Sequence, residues 1–163
     1  MSERRELHCY QYVNVPYEKV RDALKTDATG IFRRATATAA SRAHELVSTL
    51  RVGVGALQIG ADIDIEVRGV HEKASALGDR TTVLDLAWTA ANATALFPSM
   101  EATLSIYPMS DRETQIDLHG RYKPPMGLVG EAIDAVVGHR VAEASVLRFI
   151  QDVAARINVE LGG

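Results

Sequence analysis

Arg140 and Glu143 stand three residues apart in a stretch whose apolar side chains recur at three and four, and both fall near Val136 and Leu147 rather than on the polar stripe. Neighbours at i and i+3 on a helix can pair, and charge inside an apolar arc is costly unless it is paired. The pair therefore reads either as a polar anchor for the carboxylate or hydroxyl of an apolar ligand, or as a salt bridge at the edge of a core with Arg140 snorkelling to water. Gln151 is a third polar group near the same arc. Tyr122 could offer its hydroxyl to a ligand or be a core tyrosine, and Trp88 could stack on a ligand or pack as ordinary core with its indole N–H bonded to backbone. Asp117 and His119, two apart with Glu113 and Arg121 nearby, could tune a general base, but alternation puts them on a polar face, where a solvated pair is the expectation.

Other chemistries lack their residues. His8, His44, His71 and His139 have no i/i+4 or His-x-His spacing, so no metal site is expected. No serine sits in a Gly-x-Ser-x-Gly setting. Gly53-Val54-Gly55 is not a dinucleotide fingerprint, because the third glycine is misplaced and no helix is expected to follow, and Gly127-x-x-Gly130 reads as a turn into a helix. Cys9, the single cysteine, excludes an internal disulfide and reads as an inert thiol in a reducing compartment. No cofactor is expected.

The elements that must position these groups follow from periodicity. Residues Glu6 to Val15 suit a strand ended by Asn14-Val15-Pro16. Pro16 starts a helix with Glu18 in its first turn and Tyr17, Val20, Ala23 and Leu24 on one face. The run Thr26-Asp27-Ala28-Thr29-Gly30 breaks it, and a second short helix is expected from Ile31 to about Ala40. From Glu45 to Val52 the period reads as two. The cleanest alternation sets Asp62, Asp64, Glu66 and Arg68 against Ile63, Ile65 and Val67. Gly78-Asp79-Arg80 closes a hairpin into a strand whose apolar face is Thr82, Leu84, Leu86 and Trp88. Further strands run from Met100 to Tyr107 and from Thr114 to Tyr122, joined across Pro108–Arg112, the last with Ile116, Leu118, Gly120 and Tyr122 inward. After Pro124-Pro125 a proline-free amphipathic stretch, Leu128 to Val159, predicts a helix of roughly 45–50 Å.

The 163 residues, 47% hydrophobic and 24% charged, make one domain spanning residues 1–163, long enough to bury roughly 68–70% of its unfolded surface. The net charge of −3 argues against a nucleic-acid binder, which needs many cationic phosphate contacts. The charged start, Met1 to Glu6, leads into no apolar signal region, and nothing approaches a membrane span. A cytoplasmic protein is expected, and Asn92-Ala93-Thr94 reads as a chance glycosylation match.

The order strand, two short helices, antiparallel strands and long C-terminal helix defines an α+β fold: a curved sheet of about six strands wrapped around the last helix. That order, together with Val15-Pro16-Tyr17-Glu18-Lys19-Val20 and Tyr122-Lys123-Pro124-Pro125-Met126-Gly127-Leu128-Val129-Gly130, resembles the START-like (SRPBCC) superfamily, the helix-grip fold of Bet v 1-like proteins, START domains and polyketide aromatase/cyclases. The resemblance covers residues 6 to 159 and implies an apolar cavity for a lipid-, sterol- or aromatic polyketide-like molecule. Ile65, Leu84, Leu86, Trp88, Leu104, Tyr122, Ile133 and Val136 would supply its walls, with Arg140 or Glu143 orienting the ligand. Binding without chemistry is the preferred reading. A cyclase- or aromatase-type enzyme, or an interaction module forming a homodimer, are the alternatives.

Overall fold

The computed structural model describes residues 5–50, 63–74, 76, 78–90, 100–122 and 135–163. The elements are β1 (Arg5–Val13), α1 (Tyr17–Leu50), β2 (Ile63–Ala74), β3 (Arg80–Ala90), β4 (Met100–Ser110), β5 (Glu113–Tyr122) and α2 (Ala135–Leu161). The strands form one antiparallel sheet in the order β1-β5-β4-β3-β2. Alternation sets the register. On β5, Ile116, Leu118 and Tyr122 are almost fully buried while His119 and Arg121 are exposed. A slip by one residue would turn that whole apolar set to solvent. The β2–β3 turn contains Gly78 at φ +85°, a left-handed conformation that glycine adopts without the Cβ penalty.

Two helical segments follow β1 as expected, but the second is longer than read: α1 runs from Tyr17 to Leu50 and is divided by a kink at Asp27 (φ −146°, ψ 43°). The break read from Thr26–Gly30 is real. Asp27 leaves the helical conformation and its Oδ1 accepts the Gly30 N–H at 3.1 Å, an N-cap for the second segment. The capping carboxylate presses so close that a Cβ on Gly30 would lie 2.3 Å from it. Residues 45–50, expected as part of a strand, continue this second segment, so the described residues form five strands rather than six. Six residues of alternation do not distinguish the periods: Leu46 and Leu50 are also four apart, and the preceding alanines at 35, 37, 39, 40 and 43 favour helix.

Both helices bury one stripe against the inner sheet face. Tyr17, Val20, Leu24, Ala28, Ile31, Phe32 and Ala35 of α1 and Val146, Phe149, Ile150, Val153, Ala154 and Ile157 of α2 share a core with Leu84, Leu104, Ile106, Ile116 and Leu118. Phe32 and Phe149 meet with ring centroids 5.9 Å apart. Buried polar groups are satisfied where α1 enters. The Tyr17 hydroxyl lies 2.6 Å from Thr82 Oγ1, and Thr114 Oγ1 donates to the Val15 carbonyl at 2.7 Å. At the surface Arg34 of α1 meets Glu160 of α2 at 3.1 Å.

Candidate functional site

Cross-strand register groups the inner-face residues into rows. Arg5, Tyr122, Met100, Trp88 and Ile65 are successive partners across all five strands. Leu7, Gly120, Ala102, Leu86 and Val67 form the next row, and Cys9, Leu118, Leu104 and Leu84 the one after. Five of the expected wall positions on the sheet (Ile65, Leu84, Leu86, Leu104 and Tyr122) are thereby placed on one face, with Trp88 at the matching register position. The far end of this face, around Val13, Thr114 and Thr82, is closed by Val15, Tyr17, Val20 and Leu24, none more than 7% exposed.

In the middle of the second row Gly120 and Ala102 leave a small-residue gap, flanked in that row by Leu7 and Leu86. The Met100 thioether lies over it: a Cβ on Gly120 would stand 2.5 Å from Met100 Sδ. Methionine is the most adaptable apolar filler. On β2, Ile65 and Val67 point inward yet stay only partly buried against the core.

One polar cluster borders this wall. Burial pushes the Tyr122 hydroxyl above the ordinary phenol range, the hydrogen bond from the Arg5 guanidinium opposes that shift, and the Glu143 carboxylate adds to it. Tyr122 therefore stays protonated at neutral pH, suited to hydrogen bonding and not to acting as a base. Glu143 is exposed and, with Glu6, Leu7, His8, Cys9, Val146 and Leu147, lines a groove of about 410 Å³ between the β1 edge and α2. The buried stripe of α2 is centred on Val146, Phe149, Ile150 and Val153, and Leu147 is 41% exposed. The apolar arc is thus rotated from the one expected, which puts Glu143 at its rim. Ile133 lies outside the described residues, as do the side chains of Trp88, Val136 and Arg140. Gln151 is half-buried on α2 beside Arg148, whose Nη1 donates to its Oε1 at 3.4 Å.

The outer face carries what spacing along single segments did not reveal. His8 of β1 is the direct cross-strand partner of His119 of β5, and the two imidazoles stack with centroids 3.9 Å apart. His8 Nε2 lies 2.8 Å and His119 Nε2 3.6 Å from Asp117 Oδ1, and the Tyr107 hydroxyl lies 3.5 Å from Asp117 Oδ2. The signal was present in the pairing of the first and last strands, which no periodicity within one segment contains. Cys9 faces the other way, its thiol pushed up to about 12 by burial and, less, by the Asp117 charge, in keeping with an inert role.

No protein-family model matches the sequence, and no curated protein matches it. Solved structures do. The Zhui aromatase/cyclase from Streptomyces sp. R1128 aligns over 99% of both chains with a TM-score of 0.50 at 14% identity. Ara h 8.0201 aligns over 97% of this chain and 100% of its own at 0.48 and 10% identity. Norcoclaurine synthase from Thalictrum flavum, solved with dopamine and hydroxybenzaldehyde, aligns over 97% and 88% at 0.43 and 8% identity. The likeness to the first of these is one of fold: the chain adopts a helix-grip arrangement of antiparallel sheet and C-terminal helix. Fold does not assign activity. Among the described residues no helix is long and apolar enough to cross a membrane.

Proposed function

We propose that the protein binds a small hydrophobic molecule between the inner sheet face and α2, at the end of the sheet where Ile65, Met100 and Tyr122 stand. The observation that carries this reading is the gap at Gly120, with Ala102 beside it in the row, against which the Met100 thioether lies, together with inward-facing Ile65 and Val67 that the core leaves partly uncovered. A core packed only for stability favours side chains with well-defined rotamers over methionine at such a gap. Here a single flexible side chain occupies it and can move aside for a ligand. Leu84, Leu86 and Leu104 supply apolar wall, and the Tyr122 hydroxyl with Arg5 supplies one hydrogen-bonding end, the usual composition of a small-molecule site.

The likeness to an aromatase/cyclase is one of fold, and supports binding over catalysis only through the residues. Tyr122 is held neutral, the Tyr17 hydroxyl is engaged with Thr82, and His119 lies on the outer face. None of these is a base aimed into the site. The test is thermal shift of the full chain across fatty acids, sterols and planar aromatic polyketides. A fitting ligand raises the melting temperature by mass action, and Ala102→Leu, which fills the gap, removes that rise while the ligand-free protein still melts cooperatively. No shift with any class, or a shift that Ala102→Leu leaves intact, overturns the proposal.

A further inference from the structure

We propose that His8, Asp117 and His119 form a binding site for a borderline divalent metal ion, with Zn²⁺ as its test ion, on the outer face of the sheet. The site stands on geometry that the ligand-binding reading does not use and lies on the opposite side of the sheet. One ligand atom from each residue lies within 4.8 Å of the others. Both imidazoles aim the same atom, Nε2, at the same carboxylate oxygen, at 2.8 and 3.6 Å. Three ligands on a tetrahedral ion with bonds of 2.0–2.2 Å stand roughly 3.4 Å apart. The His119–Asp117 distance is already close to that value; the His8–Asp117 pair must open by about 0.6 Å and the stacked rings must tilt apart so that both Nε2 lone pairs converge, rearrangements that two half-exposed or exposed histidine side chains permit.

The donor set selects the ion. Two imidazoles and one carboxylate suit Zn²⁺, Co²⁺, Ni²⁺ or Cu²⁺ in preference to Mg²⁺ or Ca²⁺, which take oxygen ligands. Asp117 is the fixed member: its side chain is 14% exposed, and its second oxygen faces the Tyr107 hydroxyl of β4. A hydroxyl hydrogen-bonded to the free oxygen of a ligating carboxylate orients it. Water would complete the coordination. The ion would join the edge strand β1 to β5 beyond their backbone ladder, so its binding free energy would add to the stability of the strand that opens the fold. His71 and Asp85 serve as an internal comparison, a second pair on exposed side chains at 2.5 Å that lacks the second imidazole.

Isothermal titration of the tag-free full chain with ZnCl₂ tests the proposal. The expected result is one saturable site. His8→Gln and His119→Gln should each weaken it by at least about tenfold, and His71→Gln should leave it unchanged. Zn²⁺ should raise the melting temperature of the parent protein and not that of His119→Gln, and circular dichroism without the ion should be the same for all variants. Absence of saturable binding, or binding that persists at full strength in the His8→Gln/His119→Gln double variant, overturns the site. Neither result bears on the apolar ligand, which is read in a separate titration.

Discussion

Replacing Phe149 by alanine tests whether α2 is held by the sheet and α1 together. Phe149 is fully buried and its ring meets Phe32 at 5.9 Å with planes inclined by 56°. Truncating a fully buried phenylalanine costs about 3–5 kcal/mol, because the lost transfer energy is joined by a cavity that its surroundings only partly fill. Of this, about 0.5–1.5 kcal/mol belongs to the aromatic pair, and should return as the coupling energy of a double-mutant cycle with Phe32→Ala. For a chain of this length each kcal/mol lowers the melting temperature by about 2–4 °C, so Phe149→Ala should melt roughly 6–20 °C below the parent. The assay is urea unfolding followed by far-ultraviolet circular dichroism, with Val159→Ala as reference, since Val159 is 82% exposed on the same helix. A loss below about 1 kcal/mol would refute the reasoning, since a helix not gripped at Phe149 has no buried stripe.

Further outcomes follow from single contacts. Thr114→Val keeps shape but removes the donor to the Val15 carbonyl, and should cost about 1–3 kcal/mol in the same unfolding assay. Asp27→Ala removes the cap at the α1 kink and should cost about 0.5–2 kcal/mol. Cys9 ordinarily ionises near 9 and is pushed up to about 12 in the folded chain. The unfolded chain then releases a proton that the folded chain keeps, so stability falls as pH rises from 9 towards 12. Cys9→Ala should flatten that fall between pH 8 and about pH 10, and the native thiol should resist a disulfide reagent at neutral pH until urea exposes it.

Much of the scaffold is legible in the sequence because the sheet is half wet. Residues 65–68 alternate between inward apolar and exposed charged side chains, and the inward set of β5 follows from the same rule. The turn at Gly78, the break at Asp27 and the amphipathic last helix are likewise local signals. What fails is what depends on competition between periods or on partners distant in sequence. Residues 45–50 satisfy both a strand and a helix pattern, and the alanine-rich run before them decides for helix. The helical wheel gives an apolar arc but not its midpoint, so Glu143 and Leu147 read as inward whereas the β1 edge leaves both exposed at the groove. The His8–His119 stack is invisible to spacing because it arises from pairing residues 111 apart.

The measurement closest to the central claim is a titration of methyl-labelled protein with the apolar fluorophore 1-anilinonaphthalene-8-sulfonate, read by methyl resonances. The account predicts saturable shifts grouped on Ile65, Val67, Leu84, Leu86, Leu104 and Met100, with Val70 and Val159 unmoved. Shifts confined to exposed methyls such as Val70, Leu147 and Val159, or none that saturate, would contradict it.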